Sequence, residues 1–77
     1  MEVRLLKING SLFSGEAKSI TAPGITGELQ ILAGHESLVT VLKAGVITII
    51  DKEGETHSFD IEHGYLEVTP EQVTVML

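Results

Sequence analysis

The chain has 77 residues, eleven acids against five bases, a formal charge of −6 and no cysteine. That excludes disulfides and thiolate metal sites, leaves room for one domain only, and disfavours nucleic acid, whose phosphates are bound by Lys and Arg. No apolar run reaches the roughly 18 residues of a membrane helix, and a chain this short buries only about 60% of its unfolded surface, so its core is thin.

In chain order, the residues alternate with a period of two. "MEVRLLKING" reads as a strand over 2–8 rather than as a signal peptide, and "NG" at Asn9-Gly10 is a hairpin signal before a second strand over 11–20. "APG" at Ala22-Pro23-Gly24 is expected to turn. Strands follow over 28–32, 38–42 and 46–51, broken at "AGH" (Ala33–His35) and at Ala44-Gly45. "KEGE" from Lys52 to Glu55 closes a hairpin onto 56–62, and "HG" and "PE" separate the last strands, 65–69 and 72–77. β-Branched residues dominate, and no ten-residue stretch is convincingly amphipathic as a helix. The pattern predicts a single all-β domain over 1–77, a sandwich in preference to a small barrel.

Two strands are apolar on both faces. Val39 and Val41 oppose Leu38 and Leu42, and Val46 and Ile50 oppose Ile47 and Ile49. Such outward residues either mark a partner surface or are covered by a more enclosed core, and the pattern alone leaves both open.

Catalytic patterns are missing. His35, His57 and His63 form no i, i+4 pair or zinc spacing, and no serine lies in a GxSxG elbow. The adjacent His, Glu and Ser of "GHES" do not make a triad, because triads assemble in space. "GITGEL" lacks the Lys-Ser/Thr and the helix of a phosphate loop. The residues therefore predict a binding or structural module with no catalytic residue, cofactor or metal.

The stretch from Ala22 to Ile49, "APGITGELQILAGHESLVTVLKAGVITI", closely resembles the epsilon subunit of the rotary (F-type) ATP synthase. The family pattern is a Pro-Gly turn, then "GELGILPGHAPLLT". Upstream "LFSGEAKSI" and downstream "HGYLEVTPEQVTVML" match as well, so the likeness covers nearly the whole chain. Gln30, Ala33, Glu36, Ser37 and His63 depart from the family's usual residues.

The resemblance implies an antiparallel β-sandwich of about ten strands, and a non-catalytic rotor subunit of the central stalk. It implies binding to the gamma subunit and to the membrane ring, so that proton or sodium flow is coupled to ATP synthesis. The protein would then be peripheral to the inner face of an energy-transducing membrane, bacterial cytoplasmic side, through the complex alone. Carried over by motif, Gly27, Glu28 and Leu29 would face the ring, and His35 and Thr40 would face gamma. Val39 and Val41 join the gamma set on the outward-face argument. The family's C-terminal helical hairpin, with its ATP site and its restraint of hydrolysis, has no counterpart among these residues. A free-standing β-sandwich adaptor for another partner is the alternative.

Overall fold

The computed structural model describes all 77 residues and contains eight strands and no helix. They are β1 (Glu2–Lys7), β2 (Gly10–Gly24), β3 (Gly27–Leu32), β4 (Leu38–Leu42), β5 (Gly45–Asp51), β6 (Thr56–Ile61), β7 (Gly64–Val68) and β8 (Gln72–Met76). No helix is long and apolar enough to cross a membrane.

The layout follows from β2. Fifteen residues at about 3.3 Å each would reach roughly 50 Å, yet the longest extent of the molecule is 27 Å. The strand must therefore bend, and its register with β5 shifts between Ala17 and Ser19. This bulge also changes which residues point inward: Ala17 is buried before it, and Ile20 and Ala22 after it.

The first half of β2 pairs with β1, whose neighbours run on through β8 and β7 to β4. The second half lies between β3 and β5, and β6 completes that side. The two layers share one strand, and the smallest extent of 18 Å fits two sheets about 10 Å apart. Val3, Leu5, Leu42, Leu66, Val68, Val73 and Val75 of one layer meet Ala17, Ile20, Ala22, Ile31, Ile47, Ile49 and Ile61 of the other.

Most elements fall where the alternation places them, with three differences. The strand count is eight rather than about ten, in part because both layers use the one long β2. The sandwich is not wholly antiparallel, since β1 and β8 run parallel. "APG" is not the turn. Ala22, Pro23 and Gly24 end β2, paired with Leu29, Glu28 and Gly27, and the chain reverses at Ile25-Thr26. Pro23 is tolerated there because it sits near a strand end, where few ladder donors are needed.

Candidate functional site

The residues singled out in the sequence occupy different regions of the sandwich. Glu28 is exposed at the tip of the β2–β3 hairpin, opposite Pro23. Gly27 opens the same strand, and Leu29 leans partly into the core. His35 lies beyond the far end of β3, past Leu32, about 13 Å of strand from Glu28. A turn holds it there: its N–H donates to the carbonyl of Leu32 at 3.2 Å, across Gly34 with φ of 82°. That φ fits position i+2 of a type II turn, where glycine is favoured. Its Nδ1 donates to the Glu36 carbonyl at 2.7 Å, which fixes the ring against its own loop.

Strand β4 bridges the two regions and divides the rest of the predicted set. Val39 and Val41 face solvent, at 71% and 42% exposure, while Thr40 turns inward opposite buried Leu66. Val41 lies next to the hairpin tip, because its carbonyl accepts the Ile25 N–H at 3.0 Å. The set His35, Val39, Thr40, Val41 is thus not one patch. Val39 and Val41 share a face, Thr40 is on the other side of the sheet, and His35 stands in the loop before β4.

The register reveals a surface that the sequence reading missed. Val41 pairs with Tyr65, Tyr65 with Met76 and Met76 with Leu6, so four apolar side chains line one cross-strand row on the outer face. Tyr65 and Met76 are exposed, and the row runs into a half-open groove of about 580 Å³ lined also by Ile8 and Leu77. Lys7, His63 and the Tyr65 phenol are the polar side chains lining it. The signal was present: in "GYLEV" and "QVTVML" Tyr65 and Met76 alternate with the core residues. Large side chains on the water side of a sheet indicate a covered surface.

The polar chemistry elsewhere is structural. Asp51 closes the β5–β6 turn: its Oδ1 accepts the N–H groups of Glu53 and Glu55, both at 2.9 Å. Its Oδ2 meets His57 Nε2 at 2.9 Å. The His57 hydrogen bond, then the backbone donors, hold the Asp51 carboxyl below the usual carboxylate range. His57 in turn lies 5.0 Å from the Phe13 ring, centroid to centroid. His35, His57 and His63 stand on separate elements, and no three acidic, histidine or cysteine side chains converge as metal ligands do.

Residues 1–77 match the family described as ATP synthase, Delta/Epsilon chain, beta-sandwich domain. The ATP synthase epsilon chain of Helicobacter pylori (strain Shi470) is 42% identical over 77 residues, covering 94% of this chain and 62% of that protein. The epsilon chain of Sulfurimonas denitrificans is 40% identical, covering 100% and 59%. The chain thus spans about three-fifths of the length of these relatives. Among solved structures, Euglena gracilis mitochondrial ATP synthase, determined with its c-ring, holds a chain with a TM-score of 0.88 at 25% identity, over 96% of this chain and 48% of that one. The central stalk and c-ring of Tetrahymena thermophila mitochondrial ATP synthase gives a TM-score of 0.75 at 23% identity, over 100% and 63%, a likeness of fold.

Proposed function

Because the chain belongs to the ATP synthase delta/epsilon β-sandwich family, we propose that it is a non-catalytic rotor subunit which binds the gamma subunit and the membrane ring. It couples ion-driven rotation of the ring to ATP synthesis. It works peripheral to an energy-transducing membrane, on the inner face, held there through the complex.

The observation that carries this reading is the distribution of contact-ready residues over the sandwich. Glu28 stands exposed at a hairpin tip, and an apolar row starts beside it at Val41 and runs away along the outer face through Tyr65 to Met76, with exposed Val39 next to it opposite Glu67. A coupling subunit needs two attachment surfaces on one rigid body. Here Gly27, Glu28 and Leu29 serve the ring, while Val39, Val41 and His35 serve gamma. Thr40, facing inward beside Leu66, supports the gamma strand from behind instead of touching the partner. The similar chains in the two mitochondrial synthases belong to assemblies solved with a c-ring, which supports the same direction.

The test is binding of this chain to purified gamma, with and without purified ring. Retention by gamma, strengthened when the ring is present, is the expected outcome. Failure to bind gamma under conditions where a relative's epsilon chain binds overturns the reading.

A further inference from the structure

The hairpin tip that carries Glu28 is joined to β4 by the single bridge between β2 and β4, Gly24 opposite Leu42. The Ile25 N–H donates to the Val41 carbonyl at 3.0 Å, and the Lys43 N–H donates to the Pro23 carbonyl at 2.9 Å. Gly24 is paired with Gly27 and with Leu42 at once. Gly45 lies so close to Pro23 that an added Cβ would stand 2.9 Å from Pro23 Cβ and 3.0 Å from its Cγ. Pro23 is also the cross-strand partner of Glu28. One proline thus touches the acidic tip on one side and the β4–β5 corner on the other.

We propose that Pro23 and Gly45 form a pin that locks the Glu28 hairpin to β4, making them positioning residues for torque transfer rather than contacts with either partner. This rests on the reading of Glu28 as ring-facing and of β4 as gamma-facing. Force entering at the tip passes through Pro23 into the β4–β5 corner over a few backbone hydrogen bonds, and does not load the thin core.

Two variants test it from opposite directions. Gly45→Ala drives a methyl into Pro23, and Pro23→Gly removes the atoms that Gly45 touches. In each, amide exchange at Ile25 and Lys43 should accelerate by about tenfold or more, with His35 unaffected. Gly45 has a φ of 159°, so Gly45→Ala also strains the backbone, and Pro23→Gly is the variant that isolates the contact. In membrane vesicles carrying the assembled synthase, both single variants should keep gamma and ring binding yet lose coupling ions pumped per ATP hydrolysed. If Gly45→Ala fails to fold, Pro23→Gly carries the test. Unchanged exchange, or faster exchange with full coupling, overturns the pin and leaves the subunit's role standing. Failure of the unaltered chain to bind gamma or the ring overturns the role itself.

Discussion

Asp51 shows how much one side chain can organise in a short hairpin. A single carboxylate satisfies two turn N–H groups and draws the His57 ring against Phe13. Its folded pKa is depressed, so its contribution is present above the unfolded value and is lost as pH falls through the lower folded value. The Tm difference between the wild type and Asp51→Asn should therefore be full at neutral pH and close below the ordinary carboxylate range, as thermal unfolding across a pH series would read. "KEGE" marked the turn in the sequence, but nothing in the sequence pairs Asp51 with His57, which meet only because Asp51 ends β5 one turn before β6 begins. A second contrast separates core from surface. Leu66 is fully buried and Val39 largely exposed, so Leu66→Ala should cost about 2–5 kcal/mol and Val39→Ala less than about 0.5 kcal/mol in chemical denaturation.

Elements were legible where side-chain period and turn chemistry agreed. The alternation in "SFDIE" correctly put Phe59 and Ile61 inward, with Ser58 and Asp60 outward. No single alternation runs through β2, because one extra residue at its bulge reverses every later side chain and leaves no mark in composition. "APG" misled for a different reason: a proline at a strand end has the same local signature as one in a turn, and only the partner strand distinguishes them. The loop after β3 permits a direct test of turn chemistry. Ala33 occupies the position of the Leu32–His35 turn that proline favours, Leu32 before it is already extended, and the Ala33 N–H donates no backbone hydrogen bond. Ala33→Pro should stabilise the domain by about 0.4–1 kcal/mol, seen as a higher denaturation midpoint. Gly34→Ala, at φ of 82°, should destabilise it by about 1–2 kcal/mol.

At the scale of the molecule, the sequence singled out residues for two contacts without showing which of them share a surface. Val39, Thr40 and Val41 are consecutive, and the pleat alone sends Thr40 to the opposite side. Tyr65 and Met76 join the valines through pairings between strands that are distant in sequence, which periodicity cannot see. Replacing Val39 or Val41 with Asp should weaken gamma binding without lowering Tm appreciably, whereas Thr40→Asp should lower Tm first. Equal effects of all three on affinity, at constant Tm, would sink the assignment of faces. A cysteine at Glu28 should cross-link to a ring subunit, and capture of gamma alone would show that the tip points the other way.

The parallel ladder between β1 and β8 joins the first strand to the last, with Glu2 beside Gln72 and Leu6 beside Met76. During synthesis β1 can form its hairpin with β2 early, but its other edge stays open until β8 has been made. Val3 and Leu5 are fully buried only once Val73 and Val75 arrive. Closure of such a distant pair carries a large loop-entropy cost before it is rewarded. The core therefore cannot close until β8 joins β1, and until then the apolar face of the nascent N-terminal strands is open to aggregation.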